Sequence, residues 1–123
     1  MKDYPTHISR FDPISRLFVL RAQRHFAKQL DSDERIESLA QGQGQSGQEV
    51  WAVTEQQIAI LRLGIFTREF RSIPREEISG CTLRTTRLFA EIHLKAADKE
   101  EYLRHVHQAS AEHFVQKTTG LIQ

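Results

Sequence analysis

Ile14, Leu17, Phe18, Ala22, Phe26 and Leu30 recur at three- and four-residue spacing. That spacing predicts an amphipathic helix of about five turns. Asp12-Pro13 supplies its start: a capping carboxylate, then a proline at the first helical position, where a missing N–H costs nothing. Val19 and Leu20 widen the apolar arc beyond one stripe, so the helix is expected to make contact on two sides. Asp31-Ser32-Asp33 closes it, and residues 1–11 ahead of it read as an irregular arm.

From residue 34 the period shortens. Arg35 to Gln41 alternates loosely, and GQGQSGQ (42–48) reads as a flexible loop. Glu49 to Thr54 carries Val50, Trp51 and Val53, and Glu55-Gln56 turns it into Gln57–Leu63. Gly64 marks the next turn, Thr67 to Ile73 alternates charged and apolar residues, and Pro74 stops that run. Ile78 to Arg87 and Leu88 to Ala96 complete the middle of the chain. In the second of these, Ile92 and Leu94 face opposite to Glu91, His93 and Lys95. Closely spaced strands without intervening helices exclude a parallel βαβ sheet and predict an antiparallel meander that closes on itself or packs as a sandwich. Residues 99–118 fit one long helix. They equally fit a strand, Glu101 to Val106, after a turn at Asp98-Lys99, and then a helix that Ser110 caps; periodicity does not separate the two.

A chain of 123 residues suits one domain. With 17 Lys+Arg against 16 Asp+Glu, it has no general drive toward nucleic acid or an acidic membrane. The charge is nonetheless segregated. Residues 36–59 hold three acids and no Lys or Arg, and the segment 60–95 holds seven bases against four acids. A meander sets such segments side by side, which predicts cross-strand charge pairing. The longest apolar run near the N-terminus, Leu17 to Leu20, is too short for a signal peptide or a spanning helix. With a single cysteine, Cys81, this points to the cytoplasm.

The run TEQQIAILRLGIFTREFRSIPREEISGCTLR resembles the bacterial pleckstrin-homology-like family typified by the YokE-like proteins. The matching parts are Thr54, the polar turn Glu55-Gln56, the apolar strand Ile58–Leu63, the basic-apolar strand Arg68–Ser72, and Ile73-Pro74-Arg75-Glu76-Glu77-Ile78. Leu30-Asp31-Ser32-Asp33-Glu34-Arg35-Ile36 also resembles the family's approach to its first strand, and the likeness covers roughly residues 30–118. It implies a mainly β fold: a partly open antiparallel barrel of about seven strands in two sheets. An N-terminal helix precedes the barrel and a C-terminal helix caps one end, so the strand-then-helix reading of residues 99–118 is favoured. Residues 1–32 then form the arm and helix, and 33–123 the barrel with its capping helix. The family's eukaryotic counterparts carry a tryptophan in the C-terminal helix; here the only one, Trp51, lies in a strand.

Candidate chemistry is sparse. Gly42-x-Gly44-x-x-Gly47 matches a dinucleotide fingerprint in letters, but a strand follows it where a helix N-terminus must hold the pyrophosphate. Ser46 lacks the second glycine of a nucleophile elbow. His105-x-His107 could chelate an ion from a strand, yet no third ligand is placed, and His93 falls opposite Arg104 on the other face. Cys81, among Ile78, Gly80 and Leu83, reads as a small buried apolar residue. The adjacent pairs Glu76-Glu77 and Glu100-Glu101 point to opposite faces and suit no acid/base site.

The expectation is therefore a protein that is not an enzyme and needs no cofactor or metal. It would be an interaction module mediating self-assembly or protein binding, with Ile14, Leu17, Phe18 and Leu20 as the candidate interface of a homo-oligomer. The alternative is a membrane-peripheral module meeting anionic lipid through Arg62, Arg68, Arg71, Arg84 and Arg87. Trp51, Val53, Ile58, Ile60, Leu61, Phe70, Ile92 and Leu94 are expected in the barrel interior or against it. Neighbours such as Ile60 and Leu61 must face oppositely.

Overall fold

The computed structural model describes residues 13–45, 47–64 and 68–122, with side chains from residue 19 onward. The arm 1–11 and the Asp12 cap lie outside the described residues. Helix α1 spans Pro13–Gln29, followed by strands β1 (Ser38–Gln43), β2 (Gln48–Val53), β3 (Gln57–Leu63) and β4 (Arg68–Pro74). A 3₁₀ turn, Arg75–Glu77, leads to β5 (Ile78–Thr85), β6 (Ala90–Ala96), β7 (Lys99–Val106) and helix α2 (Gln108–Leu121).

The strands follow the order β4-β3-β2-β1-β7-β6-β5, every described pairing antiparallel. Two meanders, β1–β4 and β5–β7, meet where Gln43 of β1 pairs with Arg104 of β7. β4 and β5 end the order, so the barrel is partly open. At the seam β7 crosses close over β1. A Cβ on Gly42 would collide with the Arg104 carbonyl and the side chains of Val106 and Leu103. Only glycine allows that approach. Gly42, Gln43 and Gln48, expected in a flexible loop, are thus strand residues, and a Gly44 N–H bond to the Gly47 carbonyl (2.8 Å) closes the shortened turn.

Strand alternation divides the apolar residues between two cores. Ala40, Trp51, Val53, Ile58, Ile60, Ile92, Leu94, Leu103 and Val106 fill the barrel with Ala111 and Phe114 of α2. The Trp51 and Phe114 rings lie 6.1 Å apart, so strand β2 and the capping helix meet through aromatic side chains. Leu39, Val50, Ala52, Ala59, Leu61 and Leu63 face outward and are covered by Val19, Ala22, Phe26 and Leu30. Leu61 and Phe70 therefore belong to the helix-covered outer core, with Phe70 edge-on to Phe26 at 6.2 Å.

Two bulges keep the alternation in register with the core. Between Ala90 and Ile92 of β6, β7 spends three steps, Val106 back to Leu103, with His105 at φ +57°. Both Leu103 and Val106 consequently face inward. An extra residue between Ile78 and Gly80 does the same for Ile78 and Cys81.

Three boundaries differ from the sequence reading. The β6–β7 turn is Ala97-Asp98, because Ala96 pairs with Lys99 and His93 with Tyr102. Helix α2 begins at Gln108 with His107 in the capping position, and Ser110 is buried in its first turn. The β5–β6 hairpin turns at Arg87-Leu88, so Leu88 is an apex residue and β6 starts only at Ala90. Among the described residues no helix is long and apolar enough to cross a membrane.

Candidate functional site

The inward row of β3 ends in Arg62 after Ile58 and Ile60, and β4 mirrors it: Arg71 opposite Ile60 and Glu69 opposite Arg62. The inward row of each strand thus changes from apolar to charged. Glu49, the Cα partner of Arg62, and Glu101 of β7 bring two more carboxylates. Gln45, Glu49, Ile60, Arg62, Glu69, Arg71, Glu101 and Tyr102 line a cavity of about 100 Å³, to which α2 contributes nothing.

The charges in this mouth satisfy one another. Arg71 forms a two-toothed pair with Glu101, one arm 2.6 Å from Glu101 Oε2. Hydrogen bonding by Glu101 raises the Arg71 pKa above its ordinary value, with partial burial opposing and Glu49 and Glu69 adding. Arg62 pairs with Glu69. Glu49 is 6% exposed, and Trp51 Nε1 donates to its Oε1 at 2.9 Å. The Glu49 carboxylate occupies the space that a Cβ on Gly44 would need. Three carboxylates against two guanidiniums leave the mouth net negative, the wrong sign for a polyanionic headgroup.

The five arginines do not form one patch. Arg62 and Arg71 share the mouth, whereas Arg68 faces outward opposite Leu63. Arg84 stands on the outer face of the other sheet opposite Glu91, and Arg87 sits at the β5–β6 apex. Alternation separates Arg68 from Arg71, and chain topology separates both from Arg84 and Arg87.

Of the proposed interface, Leu20 is 48% exposed, beside the fully buried Val19. The side chains of Ile14, Leu17 and Phe18 lie outside the described residues. Cys81 is buried, as its apolar neighbours in sequence predict, and burial pushes its thiol up to about 12. The bulge breaks the two-residue alternation of His105 and His107 and turns the His105 ring onto Phe89, 5.7 Å away. Among the described residues no three His, Cys, Asp or Glu are grouped as metal ligands.

The sequence reading passed over two features. Ser38 Oγ lies 2.7 Å from His113 Nδ1, a serine–histidine contact from residues 75 apart in sequence. Ser38 is fully buried. The second is the β5–β6 apex, where Leu88 is 75% and Phe89 43% exposed. Its sequence signal was the apolar pair Leu88-Phe89, which breaks the alternation of Ala90–Ala96.

The Bacterial PH domain family model matches residues 30–119, which covers both meanders and nearly all of α2. The chain belongs to this family. A crystal structure of a DUF1696 family protein with a pleckstrin-homology domain, from Shewanella loihica PV-4, is similar in fold. Its TM-score is 0.54 at 15% identity, over 84% of this chain and 95% of that one. No curated protein matches the chain. As a bacterial PH domain, the protein carries a fold used as an interaction module, with α1 added ahead of the matched segment.

Proposed function

We propose that this bacterial PH domain is a non-enzymatic protein-binding module whose first partner is a second copy of itself, met through the outward side of α1. The carrying observation is Leu20. It is half exposed on a helix whose Val19, Ala22 and Phe26 are fully buried against the β1–β3 face. Leu20 continues the three-residue spacing of Ile14 and Leu17. A helix that buries one stripe and leaves Leu20 half exposed beside it has apolar surface to offer another chain. A twofold pairing of identical helices would bury Leu20 on both copies at once. The non-enzymatic reading is supported by the burial of Cys81 and of Ser38, the serine that meets His113. The mouth does not support the lipid alternative, since its two arginines are already neutralised.

The test is the double substitution Leu17→Glu/Leu20→Glu, followed by light scattering on a sizing column. Wild-type protein should run as a whole multiple of the single-chain mass. The variant should run as a folded monomer, because charge in an apolar contact dissociates it. A variant that keeps the wild-type oligomeric mass would contradict the assignment of this face.

A further inference from the structure

The β5–β6 apex is the most exposed apolar feature among the described residues, and it is rigidly built. The Thr86 N–H donates to the Phe89 carbonyl (2.8 Å), and Thr86 Oγ1 accepts from the Phe89 N–H (3.1 Å). Gln108 of α2 holds the tip from below, its Nε2 donating to the carbonyls of Thr86 (2.8 Å) and Phe89 (3.3 Å). The Phe89 ring rests edge-on against His105 at the β7 bulge. The chain thus fixes a two-residue turn that holds Leu88 and half of Phe89 in water, where apolar side chains are unfavourable.

The surroundings are basic. Segments 82–93 and 103–108 contribute Arg84, Arg87 and Arg104 against one carboxylate, Glu91, leaving two net positive charges. Glu91 is engaged by His93 (3.2 Å) and Arg104 (3.8 Å). Neither Arg84 nor Arg87 has an ion pair among the described residues.

We infer that the β5–β6 tip seats the protein on an anionic bilayer surface, Leu88 and Phe89 entering the headgroup–acyl boundary and Arg84, Arg87 and Arg104 meeting lipid charge. A protein partner fits this tip less well. Two side chains on a convex apex offer far less than the roughly 800 Å² a side of a standard interface. An interfacial anchor needs only a small buried apolar area reinforced by basic residues. The contact is separate from the net-negative mouth and from the α1 face, since α1 packs on β1, β2 and β3 while the tip belongs to the other meander. An oligomer would present several tips to one membrane and strengthen the contact by linkage.

The experiment is co-sedimentation of the full chain with phosphatidylcholine vesicles, with and without about a third phosphatidylserine, at low and high salt. The wild type should bind the phosphatidylserine vesicles and lose most binding at high salt, as screening of surface charge requires. Leu88→Ser/Phe89→Ser should weaken that binding by about tenfold or more, and Arg87→Glu by several-fold. Both variants should keep the wild-type oligomeric mass and unfolding midpoint, which separates this contact from the α1 interface. Absence of binding at low salt, equal binding to vesicles lacking phosphatidylserine, or unchanged binding by the serine variant would each overturn the inference. Loss of self-association in that variant would make the tip a protein contact and overturn it equally.

Discussion

At the scale of single residues, chemistry and position can be tested separately. Cys81 has its thiol raised from about 9 to about 12 by burial. The folded state therefore holds a proton that the unfolded chain releases above pH 9. The stability this provides is complete below pH 9 and is lost as pH rises from 9 toward 12. Wild type should lose stability with pH in that window faster than Cys81→Ala does, in denaturant titrations run side by side. Equal slopes would place the thiol in water. Glycines give a second contrast. Gly42→Ala would drive a methyl group into the Arg104 carbonyl, a backbone atom that moves only with the seam; a loss of about 1–3 kcal/mol or more is expected. Gly120→Ala, in α2 with nothing within 4 Å, should be neutral or stabilising by up to about 1 kcal/mol. Thermal unfolding of the pair reads both signs. Ile92→Ala, in the barrel interior, should cost about 2–5 kcal/mol.

At the scale of elements, the identity of each was legible and its ends were less so. The helix from Pro13, the β meander and the strand-then-helix C-terminus follow from apolar spacing and turn residues, with the family likeness deciding the last. Residues whose placement depends on another element were not legible. Gly42 looks like loop until β7 crosses it, Leu103 and Val106 share a face only through the His105 bulge, and the β5–β6 apex lacks the glycine or asparagine that usually marks a turn. The candidate site divides in the same way. Pairing of Arg62 with Glu69 follows from two adjacent strands, but Glu101 reaches Arg71 across 30 positions of sequence. Backbone chemical shifts should show strand over Lys99–Val106 and helix from Gln108; an unbroken helical stretch from Lys99 would reject this topology. Phe26→Ala should loosen α1 from the outer core at a cost of about 3–5 kcal/mol, whereas Leu20→Glu should lower the unfolding midpoint only by what self-association adds, a difference that shrinks on dilution.

At the scale of the whole molecule, the barrel separates its surfaces. Its mouth is occupied by the pairs Arg71–Glu101 and Arg62–Glu69 and by the Glu49–Trp51 hydrogen bond, and α2 closes the core through Phe114. What remains available is outside: the Leu20 side of α1 on one meander and the Leu88–Phe89 tip on the other. The proposal of self-association through α1 rests on the first of these surfaces and is the central claim. Sedimentation equilibrium of the unmodified protein, from low to high micromolar concentration, tests it most directly. The account predicts a mass that rises with concentration to a whole multiple of the single-chain mass, most simply twice that value. A mass that stays at the 14.3 kDa of one chain up to high micromolar concentration would contradict it.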